Sequence, residues 1–389
     1  MRLTRREGLA LVGSMAAACS VDLARGRAAR EPIGLHALAA QKGLRFGSCL
    51  AWSATGADRG SFGNPAYARL LTRDCGLLVA DNEMKWQAIR PAVDQFDFAK
   101  VDAIVAWAGT NGMAVRGHNL LWHQTKWMPN WLNAHDFGTN PSTSGAAILV
   151  QHIETFCHRY GTRIDSYDVV NEAVDPANGS LYETALSKAI GGAQATIDLA
   201  FRTARHAAPH AELVYNDFMS WEPHNERHRE GVLRLLEGFR ARNVPVDALG
   251  VQSHIITQGP GVDGGARSLE REWRQFLDRV TEMGFRLVVT ELDVRDDNLP
   301  IETAKRDVAV AAFTRAYLDV MLSYQQLRDI LVWGLSDRYS WIEKFDPRKD
   351  GALRRPCPYD RQFSAKPMHE AIAAALRAAT LRKAALATT

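Results

Sequence analysis

Eight short apolar runs recur along the chain at a spacing that few folds can use. They are Leu44–Leu50, Leu77–Asp81, Ala114–Trp122, Ser166–Glu172, Glu212–Asp217, Ala248–His254, Leu287–Asp293 and Ile330–Leu335. Their starts lie 33 to 52 residues apart, room for a strand, a loop and a returning helix. Between them the apolar spacing turns helical: Lys100–Asn111, Ile148–Tyr160, Ile197–Ala207, His228–Arg240, Leu269–Met283 and Thr303–Ser323 are the clearest cases. In Thr303–Ser323, Val308, Ala311, Ala312, Ala316 and Leu318 gather near one face. Lys305, Arg306, Arg315 and Asp319 fall mostly elsewhere. Gly112, Gly161 and Gly284 follow helices, where a left-handed cap is wanted. A last helix is expected from Met368 to about Ala378.

An open doubly wound sheet shares this alternation, but it usually has fewer strands and a Gly-rich phosphate turn after the first. Neither GxGxxG nor GxxxxGK[ST] follows the first run here. The expected fold is therefore α/β: a single-domain (β/α)8 TIM barrel over about 42–380. With 389 residues, 46% of them hydrophobic, the chain can fill one such core. No Pro/Thr/Ser-rich linker leads to a second domain, and no sequence repeat accompanies the βα repeat.

The formal charge of +3 is local. Six Arg against Glu7 and Asp22 put +4 in the first 30 residues and leave the remainder at −1. That balance gives no reason to expect a nucleic-acid partner. The start, MRLTRREGLALVGSMAAACS, orders a basic stretch, a short apolar run and small residues, as an export signal does. Arg5-Arg6 makes it twin-arginine-like, although Gly8 stands where a bulky apolar residue is usual. The run is too short to span a bilayer. Residues 1–30 are thus expected to be a leader to the periplasm or the exterior. Ala16-Ala17-Ala18-Cys19 resembles a lipoprotein box with Ala16 in place of Leu, and anchoring at Cys19 is the weaker reading. Of the remaining cysteines, Cys49, Cys75, Cys157 and Cys357, none forms a CxxC pair. A Cys49–Cys75 disulfide and four buried thiols both stay open.

Two of the apolar runs stop on a glutamate, Glu172 in YDVVNEA and Glu291 in LVVTELDV. Burying such a charge is costly, so each needs a reason to be there. In a barrel, strand C-termini share one rim, where active sites sit, and two glutamates facing one cleft suffice to cleave a glycosidic bond. Polar and aromatic residues crowd the other run ends: DNEMKW (81–86), RGHNLLWHQ (116–124), YNDF (215–218), GVQSH (250–254) and WGLSDRYSW (333–341). Trp, His, Asn, Gln, Lys and Glu together suit a sugar, with hydroxyls to bond and apolar faces to stack on.

In order along seven of the eight runs, NEMKW, RGHxLxWH, DVVNEA, YND, QSH, TELD and WGxSDxYSW resemble the family 10 glycoside hydrolases, retaining endo-β-1,4-xylanases. The resemblance extends from about Leu44 to Ala378 and includes YDRQFSAKP (359–367) before the last helix. It implies Glu172 as acid/base and Glu291 as nucleophile. Asn171 would bond the 2-hydroxyl of the sugar at the cut. His254 would orient Glu291 with Asp293 behind it, and Gln252 would join that network. Asn82, Lys85 and His118 would bind hydroxyls on the non-reducing side, and Trp122, Trp333 and Trp341 would form the floor and wall there. The retaining geometry implies carboxylates roughly 5–5.5 Å apart. No metal or cofactor is expected. The partners are xylan and xylo-oligosaccharides, and the protein is expected to act as a monomer.

Several residues read more simply. Trp86 and Trp107 suit the core, and Glu83 and Asp168 suit structural roles. The odd spacing of His118 and His123 points them to opposite sides of a strand, not to one metal. Three departures from the family bear on binding: Asp81 for Glu, Phe218 for Tyr, and the loop QTKWMPNWLNAHDFGTNPS (124–142). In that loop Trp127 and Trp131 either touch substrate or pin the loop. A rival within the same chemistry is a two-glutamate barrel cutting β-glucans or aryl glycosides. From another class, a barrel that binds polysaccharide without cutting could keep the tryptophans but would be expected to have lost a glutamate.

Overall fold

A computed structural model describes residues 33–259 and 265–382. The export and lipoprotein expectations fall on residues outside that range. The described unit begins at Gly34. Its first helix, Leu35–Ala40, buries Leu35 and Leu38 ahead of the boundary at 42 that composition suggested.

Nine strands follow in chain order: β1 (Arg45–Leu50), β2 (Leu77–Ala80), β3 (Ala114–Trp122), β4 (Ser166–Asn171), β5 (Glu212–Asp217), β6 (Ala248–Val251), β7 (His254–Ile256), β8 (Arg286–Arg295) and β9 (Leu327–Val332). All pair in parallel, β6-β5-β4-β3-β2-β1-β9-β8, and β6 pairs back to β8 to close an eight-stranded barrel. β7 prolongs the sixth barrel strand and pairs with the end of β8, His254 opposite Asp293. Helices return between the strands, among them Ala99–Thr110, Pro141–Tyr160, Ala193–Ala207, Glu226–Ala241, Glu270–Glu282 and Thr303–Leu322, and Pro367–Ala378 ends the described unit. The architecture is a single (β/α)8 TIM barrel.

The strands are buried on both faces, which is why they read as continuous apolar runs. Cys49, Leu77, Val79, Val214, Ala248, Val288 and Leu331 fill the barrel interior, with Trp333 joining them. The alternate residues pack outward against the helices in a much larger layer. Adjacent strands align Trp122, Asn171, Asn216 and Gly250 in one row near the C-terminal rim. Gly250 is required in that row, because a Cβ there would come within 2.4 Å of the Asn216 side-chain oxygen.

Three elements differ from the sequence reading for identifiable reasons. β9 starts at Leu327, three residues before the expected run, because Asp329 interrupts the apolar pattern. Asp329 is fully buried, held by Arg45 Nε at 2.7 Å from β1. The sixth strand is broken at Gln252-Ser253, where Ser253 takes φ 65°, a left-handed backbone. In the helix Thr303–Leu322, Val308 is exposed and the packed face is Val310, Phe313, Thr314, Tyr317 and Met321. Arg306 is buried there because Asp296, also buried, accepts from its Nη1 at 2.9 Å. Gly112, Gly161 and Gly284 all have positive φ. All four described cysteines are free thiols and buried, so Cys49 and Cys75 are not joined.

Candidate active site

Asn171 and Glu172 end β4 at the rim, and Glu172 takes φ 53°, turning the chain off the strand while its side chain stays buried. Four side-chain N–H groups converge on its carboxylate. Gln252 Nε2 donates to Oε1 at 2.9 Å and Asn171 Nδ2 to the same oxygen at 3.2 Å. Trp122 Nε1 donates to Oε2 at 3.0 Å and Gln124 Nε2 at 3.1 Å. Burial nevertheless pushes the Glu172 carboxyl up. The Gln252 hydrogen bond opposes that rise, and the negative charges of Asp217 and Glu291 add to it.

Glu291 lies within β8, and Asn216 Nδ2 donates to its Oε1 at 2.9 Å. His254 Nε2 is 3.3 Å from Oε2, and His254 Nδ1 is 2.9 Å from Asp293 Oδ1. Trp341 Nε1 donates to the other Asp293 oxygen at 2.8 Å. Burial alone would raise the Glu291 carboxyl. The His254 hydrogen bond, the charges of His118 and His254, and the Asn216 amide outweigh it and bring it down to about 2. Burial would likewise lower His254, but Asp293 and then Glu291 hold it up at about 10. The ring is therefore an imidazolium at neutral pH, donating from both nitrogens.

Buried amides join the two carboxylates. Asn216 Nδ2 donates to Asn171 Oδ1 at 2.9 Å as well as to Glu291, and Gln252 Nε2 is 3.4 Å from that oxygen. Thr290 Oγ1 donates to Asn216 Oδ1 at 2.8 Å and fixes which way the amide faces. Gln252 thus reaches Glu172, not the His254 pair as alternation along an unbroken strand would have it. The break at Ser253 removes that alternation.

The remaining predicted residues surround this pair. Lys85 Nζ donates to Asn82 Oδ1 at 2.7 Å and lies 4.9 Å from the centre of the Trp122 ring. His118 is buried, its Nδ1 2.9 Å from Asp168 Oδ2, and Asp168 also pairs with Arg116. Trp333 meets His118 edge to face at 5.4 Å, and Trp341 meets His254 at 5.0 Å. Asn82, Trp333 and Trp341 share the wall of a cavity of about 1180 Å3 with Asp81. Burial raises the Asp81 carboxyl while Lys85 draws it down.

Trp122 was expected as a cleft wall, and its indole N–H is engaged by Glu172. Trp127 stacks on it at 4.5 Å, whereas Trp131 donates to the Arg90 carbonyl at 2.9 Å and pins the loop. His123 is turned away, its Nε2 3.0 Å from the Tyr182 carbonyl oxygen. Trp86 is core, stacked on His152 at 3.8 Å; Trp107 is partly buried against Phe62. Phe218 packs its ring against His228. Glu83 accepts from the backbone of Trp52 and Asn82, a structural position.

Two residues that touch the carboxylates were not singled out from the sequence, Asn216 and Gln124. Asn216 carried a signal, since an amide before the aspartate that ends an apolar run is as anomalous as a glutamate there. Gln124 lay in the rearranged loop, and nothing in its neighbours marked it.

Comparison with known proteins points the same way as the geometry. Endo-1,4-beta-xylanase from Agaricus bisporus is 28% identical over 340 residues, 87% of this chain and 93% of that protein. Endo-1,4-beta-xylanase C of Paenibacillus barcinonensis is 30% identical over 332 residues, 79% of this chain, yet the chain spans only 29% of that longer protein. Among solved structures, xylanase 10B from Thermotoga petrophila RKU-1 in complex with xylobiose superposes with a TM-score of 0.75 at 28% identity. The match covers 89% of this chain and 98% of that one. The sequence profile of Glycosyl hydrolase family 10 matches residues 34–375, the whole barrel, and the chain belongs to that family.

Proposed function

We propose that the chain is an endo-1,4-β-xylanase that cuts internal bonds of xylan with retention at the anomeric carbon. The observation that carries the proposal is the opposite displacement of two carboxyls in one hydrogen-bonded network, Glu172 up and Glu291 down to about 2. Double displacement asks for that division, one carboxyl protonated and one ionised at the same pH. Its relatives are named for xylan cleavage, which favours xylan over β-glucans and aryl glycosides. A bulky wall of Trp333 and Trp341 beside Asn82 and Lys85 would also crowd the hydroxymethyl group that glucose has and xylose lacks.

In the first step Glu291 attacks the anomeric carbon while Glu172 gives its proton to the departing glycosidic oxygen. In the second, Glu172 takes a proton from water, the water oxygen attacks the same carbon, and Glu291 leaves. His254, charged and held by Asp293, keeps Glu291 ionised and oriented for the attack. Asn171 would bond the 2-hydroxyl, a contact that strengthens as oxocarbenium character develops. Asn82, Lys85 and His118 would hold the sugars on the non-reducing side. No metal or cofactor enters either step. Acting on an extracellular polymer requires export, which we assign to residues 1–30.

The nucleophile is tested by labelling with a 2-fluoro-xylobioside inactivator and mapping the modified peptide. Label on Glu291 alone is expected. Label on another carboxylate would contradict the assignment.

A further inference from the structure

The cavity walled by Asn82, Trp333 and Trp341, the last of which bonds Asp293 behind Glu291, does not end at the residues assigned to sugars. Beyond Asn82, Trp333 and Trp341 its walls carry four cations, Arg59, Arg338, Lys344 and Arg361. The acidic residues of the same lining are Asp58, Glu343 and, next to Asn82, Asp81, so four cations face three carboxylates. Asp58 and Glu343 are already engaged. Asp58 accepts from Arg338 Nη2 at 2.7 Å and from the Tyr339 hydroxyl, and Glu343 accepts from the Arg354 backbone at 2.8 Å. The Asp58 carboxyl is held below its ordinary range by the Tyr339 and Arg338 hydrogen bonds, with the Arg338 and Arg361 charges adding to them. Among the described residues, Arg59, Lys344 and Arg361 form no ion pair.

Exposed lysines and arginines usually do no more than hydrate a surface. These differ by converging on one concave wall from three separate segments: the loop after β1, the loop after β9, and the stretch before the last helix. A cleft lined by one sign of charge concentrates its field on what lies inside. Phe345, 70% exposed, continues the aromatic wall from Trp341 at 4.9 Å and offers a sugar ring a face to rest on. Neutral main-chain sugars gain nothing from four cations; a carboxylate does.

We infer that this outer end of the cleft binds the carboxylate of an acidic sugar branch carried by the polymer being cut. The inference rests on the proposed endo-xylanase reading and adds a preference among xylans. It makes the enzyme favour segments whose uronic acid branch lies on the Asn82 side of the cut, away from the glutamates.

The test compares kcat/KM on three xylo-oligosaccharides of equal main-chain length, one unbranched, one with a glucuronic acid branch, one with a neutral arabinose branch. The acidic branch is expected to be preferred over both others at low salt. The preference should shrink as sodium chloride rises from 20 to 500 mM, because exposed charges are screened. In the triple variant Arg59→Gln, Lys344→Gln, Arg361→Gln, the acidic-to-unbranched ratio should fall about tenfold, roughly twofold per charge. An acidic-to-neutral ratio near one, unmoved by salt and by the triple variant, would overturn the inference while leaving the xylanase reading intact. If the folded enzyme cuts none of the three, the reading beneath it fails and the inference with it.

Discussion

Glu172 and Glu291 are the same side chain at similar depth, and their neighbours alone set them apart. Glu172 receives four neutral N–H donors and faces the charges of Asp217 and Glu291, so burial prevails and its carboxyl is pushed up. Glu291 receives the charged His254 and the Asn216 amide, and burial is outweighed. The sign of the pH dependence follows. On the proposed roles, activity requires Glu291 ionised, which sets the acid limb of kcat/KM, and Glu172 protonated, which sets the alkaline limb. His254→Ala removes the donor that keeps Glu291 low. Its acid limb should move to higher pH, with kcat down about 10²- to 10³-fold, the loss typical of one electrostatic donor. The alkaline limb should move far less. An acid limb unchanged in the folded variant would show that His254 does not govern Glu291. At this scale the sequence was readable wherever a carboxylate ended an apolar run. Gln124 was harder, because a neutral amide in a loop interrupts no apolar run, and its importance lies in which atoms it reaches.

Element by element, the strands and loops are held in register by buried ion pairs that the apolar pattern hides. At one end of the barrel, Arg45 of β1 clasps Asp329 of β9, and that aspartate is what displaced the expected start of the eighth barrel strand. Just past β8, Asp296 is fully buried among Arg306 at 2.9 Å, Arg354 at 3.3 Å and Arg348 at 3.5 Å. These arginines come from the helix Thr303–Leu322 and from the segment after Trp341, so one carboxylate ties β8 to the loop bearing the Trp341 wall. Asp296→Ala would leave three buried or half-buried guanidinium groups short of a partner, at a cost of about 3–5 kcal/mol. Urea unfolding followed by fluorescence should show that loss, and a change below about 1 kcal/mol would mean the network is not a clamp. Ala114–Trp122 and Glu212–Asp217 were legible to the residue because nothing charged interrupts their buried positions except Arg116 and the terminal Asp217. The broken sixth strand was not. A serine in a left-handed backbone carries no sequence mark as a glycine would.

For the molecule as a whole, closure of the barrel converts eight separate strand ends into one site. Trp122, Asn171, Asn216 and Gly250 come from four neighbouring strands and lie side by side only because the parallel register puts them in one row. The spacing of the runs made the barrel readable, since each unit has the length of a strand and its returning helix. Charge on the cavity wall was not readable, because Arg59, Arg338, Lys344 and Arg361 are far apart in the chain and meet only in the fold. The central claim is double displacement on xylan by Glu172 and Glu291. The most direct test follows product anomers by proton NMR during the first minutes of glucuronoxylan hydrolysis, with carboxymethylcellulose as the comparison. The account predicts xylo-oligosaccharides appearing first as the β-anomer. Products appearing first as the α-anomer, or cellulose cut with xylan untouched, would contradict it.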